Sequence, residues 1–399
     1  MTNDSERKAT LDELVDDPVF CALPWLHLST SVDGVWARCC VDSTAYHDGY
    51  YQQADEPEFR LDDDSLGCLP QSRYARDNPD QVRGLTEAFN SPAMRRTRLA
   101  MLRGERVRAC SYCYEREDGG GESYRQQINR LPPARFDLNA RLAATEPDGT
   151  VREFPSYLDL RFGNSCNLAC IMCGFPVSSR WGTEQRVRWT PANIDPYRGD
   201  EALWAVLGDN ATKLRRVYFA GGEPFMQPLH FKALELFVST GAAAQIELFY
   251  NSNLTLVPDG IFETFRHFES VCIGASCDGV GETFEAIRRG ALWEDFVRNI
   301  DLFRRNVQVL LQVAPQRDNV GQIGQILEFA RQRELQVDLR NFVHHPAELS
   351  VRNLPLEQRV AYAAELQALS QECRQTGRSE ESRHLLMLVN FLDAAATIR

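Results

Sequence analysis

The sequence predicts an α/β chain built as a partial, open (β/α)6 barrel behind a small N-terminal α+β segment rich in cysteine. Three observations carry this. From Ser156 onward, strand-like runs alternate with helical stretches, a pattern that implies a parallel sheet with right-handed crossovers. Six strand–helix units can be read, fewer than the eight of a closed barrel. The first third instead pairs short strands with a turn signal and carries clustered cysteines.

The elements follow in chain order. Residues 1–17 read as a mobile, polar and acidic start, unlike a secretory leader. Phe20 to Val41 reads as two short strands, His27–Val32 and Val35–Ala37, joined by the turn Asp33-Gly34. Asp42 to Asp80 reads as an irregular insertion. Leu85 to Leu102 has helical spacing, with Asn90-Ser91-Pro92 as cap and break. Cys110-x2-Cys113, a Gly119-Gly120-Gly121 segment and a linker over Pro132–Glu153 come next. Six strands are then expected at Tyr157–Phe162, Arg216–Ala220, Ile246–Tyr250, Val271–Ala275, Val307–Val313 and Leu335–Leu339. Helices are expected between them at Phe231–Ser239, Trp293–Arg305 and Gln322–Arg333, and two closing helices at Leu354–Arg374 and Ser382–Ala395. The domains so defined are 18–131, 155–345 and a C-terminal helical part, 346–399.

Composition narrows the function. The chain has 399 residues and a net charge of −12, which argues against a nucleic-acid binder because phosphate contacts need a basic surface. No apolar run reaches the ~20 residues of a membrane span, so a cytoplasmic protein is expected. Twelve cysteines in such a chain point to metal or redox chemistry rather than disulfides. Cys272, Cys277 and Cys373 are scattered and read as small buried hydrophobes.

Cys166-Asn-Leu-Ala-Cys170-Ile-Met-Cys173 follows the first barrel strand. A cubane of four irons usually takes four thiolates; three within eight residues can hold one cluster and leave an iron open to a small molecule. A zinc site would want a fourth ligand close by, and the next histidine is His230. In the first third, Cys21-x12-Gly34-x4-Cys39 and Cys110-x2-Cys113 place four thiols on a hairpin and a distant loop. On spacing alone, a fully ligated [4Fe–4S] cluster and a zinc ribbon are both open there.

Cys-x3-Cys-x2-Cys after strand one of a partial, TIM-like barrel resembles the radical SAM superfamily, whose members bind S-adenosylmethionine (SAM) at a [4Fe–4S] cluster. Further segments match in order. Gly221-Gly222-Glu223-Pro224 is similar to the motif that receives the methionine amino group of SAM, and Ser252-Asn253 to the pair near the ribose. Ser276-Cys277-Asp278-Gly279 resembles the Ser-Ile-Asp-Gly signature, and Arg288 or Arg289 the arginine that meets the SAM carboxylate. Met172 stands where an aromatic residue near adenine is common. The N-terminal cysteines, with Phe20-Cys21, Pro24-Trp25, His27-Leu28 and Ser123-x-Arg125, resemble a twitch domain, the shortened SPASM domain with one auxiliary cluster. In relatives it usually follows the barrel; here it precedes it. The resemblance implies Cys21, Cys39, Cys110 and Cys113 as auxiliary ligands, with Cys40 as runner-up to Cys39 and Cys68 as an outside candidate.

What the resemblance implies for mechanism is one-electron reduction by a flavodoxin- or ferredoxin-type donor, cleavage of SAM, and hydrogen abstraction from substrate by a 5′-deoxyadenosyl radical. Relatives act on peptides, protein side chains and small molecules; the reading leans to peptide or natural-product modification, net oxidative. Cys277 is a candidate hydrogen donor, and Asp278, Tyr250 and Arg317 are candidates to line the pocket. A non-catalytic zinc or Fe–S scaffold and an RNA-modifying radical enzyme are the alternatives.

Overall fold

The computed structural model describes residues 14, 16–45, 61–118, 121–130, 133–185 and 194–393. The expected N-terminal segment 1–17, Gly119-Gly120, the start of the linker and the last residues of the closing helix lie largely outside them. One eight-stranded sheet organises the chain, in the spatial order β2-β1-β3-β4-β5-β6-β7-β8. Its strands are β1 (His27–Thr30), β2 (Trp36–Ala37), β3 (Tyr157–Leu160), β4 (Arg216–Phe219), β5 (Glu247–Ser252), β6 (Ser270–Ser276), β7 (Gln308–Gln312) and β8 (Gln336–Asp338). From β3 to β8 every pairing is parallel. The six expected barrel strands are all present, shifted at their ends by one or two residues.

The sheet has two strands more than the sequence predicts for the barrel. The N-terminal hairpin forms, with Ser29 opposite Ala37. Its first strand then runs parallel beside β3, Leu28 against Leu158 and Ser29 against Asp159. The cysteine-rich segment and the barrel therefore share one sheet. They also share a core, which runs from Phe20 and Trp25 through Leu158 and Val217 to Leu385.

Strand alternation sets the two faces. Val217, Phe219, Leu248, Tyr250, Ile273, Leu311 and Val337 are buried and belong to the face that meets helices: Phe219 packs on His230 of the helix Pro228–Ser239, and Tyr250 on Phe265 of Ile261–Phe265. The alternate residues, Arg216, Tyr218, Glu247, Phe249, Asn251, Cys272, Ser276, Leu310, Gln312 and Asp338, are only half buried and form the inner face of the open barrel. The helices Trp293–Phe303 and Ile323–Arg331 present strongly amphipathic faces to the sheet, burying Phe296, Ile300, Ile326 and Ala330. The helices Leu356–Gln375 and Ser379–Asp393 pack on each other at the chain's end.

The N-terminal helices follow the predicted punctuation. Leu85–Phe89 stops at Asn90, and Pro92–Leu102 starts with Pro92 in its first turn and the Ser91 hydroxyl accepting from Met94 N at 3.3 Å. Among the described residues no helix is long and apolar enough to cross a membrane.

Candidate active site

The site lies at the C-terminal ends of the parallel strands, where a barrel gathers its functional loops. After β3 the chain turns through Gly163 and enters the loop of Cys166, Cys170 and Cys173. Helix Glu282–Ile287 and its following turn hold this loop by two strand-like contacts, Ile171 N to Ile287 O at 2.9 Å and Ala169 N to Arg289 O at 3.0 Å. Ser178 Oγ donates to Leu168 O, and Trp181 Nε1 to Cys170 O at 2.8 Å. The three thiols face one another: Cys173 and Cys170 share a hydrogen bond, and Cys166 lies within electrostatic reach of both.

Two polar side chains reach these sulfurs. Asn253 Nδ2 stands 4.0 Å from Cys166 Sγ, and Arg288 Nη1 stands 3.9 Å from Cys170 Sγ. Burial pushes the Cys166 thiol up to about 12, whereas the Cys173 thiol donor and then Arg288 pull Cys170 below its ordinary value. Buried thiols of this kind become good ligands only beside positive charge, and Arg288 brings one to Cys170 and Cys173. Among the described residues no three His, Cys, Asp or Glu side chains gather on a single ion; a cubane asks instead for one thiolate per iron. The donor set fits a [4Fe–4S] cluster with three protein ligands.

The glycine-rich loop after β4 lies against the backbone of the cysteine loop. Gly222 N donates to Gly163 O at 3.0 Å and Glu223 N to Ser165 O at 2.8 Å. A Cβ on Gly222 would come within 2.2 Å of Ser165 O, and Gly221 has φ +115, a conformation glycine alone tolerates well. The Glu223 carboxylate is buried, accepting from Phe225 N at 3.2 Å, Ser252 Oγ at 2.8 Å and Asn253 N at 2.8 Å. Burial still dominates and pushes its pKa up to about 6. Pro224 opens a short 3-10 turn, so the carboxylate is held at a turn start with its neighbours fixed. Glu223, Ser252 and Asn253, predicted from separate motifs, thus form one hydrogen-bonded group.

Arg288 and Arg289 part company. Arg288 is buried and pairs with Asp278 at 2.6 Å. Asp278 in turn accepts from Ala314 N at 2.7 Å. Arg289 is exposed, stacks on Trp181, and bonds Ala169 O at 2.9 Å. Arg288 is the arginine aimed into the site; Arg289 braces the cysteine loop from outside. Breaking a buried pair leaves an uncompensated charge, so Arg288→Ala is expected to destabilise the protein by about 3–5 kcal/mol, against about 1 kcal/mol or less for Arg289→Ala. Urea unfolding of the two apoproteins separates them.

Several expectations need correcting. Tyr250 faces the helices, bonded to His230 Nε2 at 2.9 Å, and not the barrel interior. Arg317 is exposed and paired with Asp318. Cys277 lies in the core, its thiol donating to Gly279 O at 3.5 Å. The physical reason is shared: strand parity places Tyr250 and Cys277 on the helix side. Met172 is half buried beside the core, and Ser276 ends β6 on the inner face. The residues that sequence reasoning missed are on that face. Asp159 accepts from Ser29 Oγ at 2.9 Å and from Arg161 Nε and Nη2 at 3.1 and 2.9 Å. Their signal was the alternation Tyr157-x-Asp159-x-Arg161.

The four N-terminal thiols also come together. Cys21, Cys110 and Cys113 lie within electrostatic reach of one another, and Cys39 within reach of Cys110 and Cys113. Arg125 ties the two contributing segments. Its Nη1 donates to Phe20 O at 2.6 Å, and Nε and Nη2 to Glu117 at 2.9 and 2.6 Å, on the helix Ser111–Asp118 that carries Cys113. Cys40 instead lies toward Arg161 and Asp159 on the barrel's inner face as well as toward Cys113. Cys68 is buried with Val35 and Ala37, apart from the others.

Residues 160–330 match the profile of the Radical SAM superfamily. The matched stretch contains Cys166, Cys170, Cys173, Glu223, Ser252, Asn253 and Arg288. No curated protein matches its sequence. Among solved structures, it is similar to anSMEcpe with bound AdoMet at 18% identity and TM-score 0.44, over 56% of this chain and 62% of that one. It is also similar to Streptococcus suis SuiB bound to S-adenosylmethionine, at 12% identity and TM-score 0.40, over 67% and 59%. SuiB bound to precursor peptide SuiA gives 13% identity and TM-score 0.42, over 67% and 60%. The chain thus spans about three-fifths of these proteins' length.

Proposed function

We propose that this enzyme binds SAM at a [4Fe–4S] cluster held by Cys166, Cys170 and Cys173, and starts radical chemistry on a peptide or natural-product substrate. The observation that carries the proposal is the meeting of three strand ends: the thiols after β3, Glu223 after β4, and Ser252-Asn253 at the end of β5, with Arg288 at the sulfurs. When bound, cluster and SAM supply one-electron cleavage of the sulfonium and a radical able to take hydrogen from substrate.

The chain's own residues do the rest. Glu223 holds a carboxylate where an ammonium can be received, and Gly221-Gly222 allow close approach. Arg288 offers a guanidinium to a carboxylate from a position fixed by Asp278. Arg289 and Trp181 hold the cysteine loop in place. The polar inner face turns substrate toward the strand ends.

Cys21, Cys39, Cys110 and Cys113 are proposed as ligands of an auxiliary [4Fe–4S] cluster, in a twitch-like unit over 18–131 preceding the barrel at 155–345. Four thiols there would hold a cluster able to accept one electron, which supports a net oxidative reaction. A flavodoxin- or ferredoxin-type protein would supply the first electron. Anaerobically reconstituted protein given SAM and dithionite is expected to form 5′-deoxyadenosine and methionine; colourless, zinc-loaded protein forming neither would favour a non-catalytic scaffold.

A further inference from the structure

The inner face has an unsatisfied wall at the level where the strands end. Asn251 of β5 stands opposite Gly274 of β6. Gln312, the last residue of β7, is in register with Ser276, yet its carboxamide leans back over Gly274: a Cβ there would lie 2.7 Å from Gln312 Cδ and 2.8 Å from Oε1. The absence of a side chain at Gly274 leaves room for this amide over the residue that pairs with Asn251. Asn251 Oδ1 is buried without a hydrogen-bond partner among the described residues, while the Gln312 carboxamide, half buried, is open to a partner from the barrel interior. Further along the same loop Gln316 is fully buried, with neither amide atom partnered. Buried polar atoms are rarely left this way, because each costs about as much as a lost hydrogen bond.

The charges on the same face are already matched. Arg161 pairs with Asp159 at 2.9 Å, Arg216 with Glu247 at 2.8 Å, and Arg340 with Asp338 at 2.5 Å. What is left wanting partners is neutral and offers both a donor and an acceptor. A planar amide complements that pair better than a carboxylate, a phosphate or an ammonium does.

We propose that Asn251 and Gln312 bind an amide group of the substrate, a peptide bond or carboxamide whose N–H donates to Asn251 Oδ1 and whose carbonyl accepts from Gln312 Nε2. The inference rests on the SAM reading above, since Asn251 directly precedes Ser252 and Asn253 and so brings the held amide next to the proposed SAM site. It narrows the substrate class to molecules with an amide near the reacting carbon.

The test uses reconstituted, SAM-loaded full-length enzyme and saturation-transfer NMR with N-acetylalanine N-methylamide, against N-acetylalanine methyl ester. Wild type is expected to saturate the amide well above the ester, and Gln312→Met, close to isosteric, to reduce the amide signal by about fivefold. Gly274→Ala, which displaces the Gln312 amide, is expected to do the same. No signal from the amide in wild type, equal signals from amide and ester, or an undiminished signal in Gln312→Met would each overturn the proposal. So would a Gln312→Met variant whose SAM dissociation constant rises in place of the amide effect, because the carboxamides would then serve SAM. Wild type that saturates the amide but forms no 5′-deoxyadenosine with dithionite would sink the SAM reading instead.

Discussion

Replacing Cys166, Cys170 and Cys173 together with alanine is expected to halve the iron of the reconstituted enzyme, from about eight to about four per chain, and to abolish SAM cleavage. The loss should be total, because no other group of the described residues offers three thiols beside Glu223 and Arg288. Replacing Cys21, Cys39, Cys110 and Cys113 should remove the other half of the iron while 5′-deoxyadenosine still forms. Iron analysis and product chromatography on both variants make the check. Substrate turnover undiminished in the second variant would count against an oxidative role for the auxiliary cluster. An unchanged iron content in either would remove those residues as ligands.

The second large effect concerns Glu223. Burial raises its carboxyl from the ordinary 4.5 to about 6, so the carboxylate that would receive an ammonium is progressively lost as pH falls through 6. SAM affinity is expected to drop by about tenfold per pH unit below that point. Glu223→Gln should bind SAM on the order of ten- to a hundredfold more weakly at neutral pH, the worth of one charge-assisted hydrogen bond, and should lose this pH dependence. Stability of the apoprotein runs the other way. A carboxyl whose folded pKa is raised stabilises the fold fully below its unfolded value, 4.5, and that contribution disappears as pH rises through about 6. The wild-type apoprotein should therefore gain up to about 2 kcal/mol from this group on acidification, a gain absent from Glu223→Gln. Calorimetric SAM titration and urea unfolding across the pH range read the two effects.

Much of this was legible because the signals were local. The barrel strands announce themselves by alternation between turn residues, and Cys166, Glu223 and Ser252-Asn253 each follow a strand end, where the fold gathers them whatever the details. Ser91-Pro92 marked a helix start for reasons internal to one turn. What escaped depends on long-range placement. A hairpin's sequence does not say which of its strands will join a larger sheet, or at which edge, so the pairing of His27–Ser29 with Tyr157–Asp159 was invisible. Adjacent arginines look alike until Asp278 picks out one of them. Tyr250 and Cys277 were placed near the pocket by their closeness to strand ends, but one step of parity turned them toward the helices. Asn251, Gly274 and Gln312 carry no motif at all; their relation appears only once three strands are in register.

In the variant lacking Cys21, Cys39, Cys110 and Cys113 a single cluster is left in view. Its reduced form should hold about four irons and show an EPR spectrum that shifts when SAM is added, since SAM would occupy the iron the polypeptide leaves free. A spectrum indifferent to SAM, from a fully loaded cluster, would rule out SAM as a ligand of that iron.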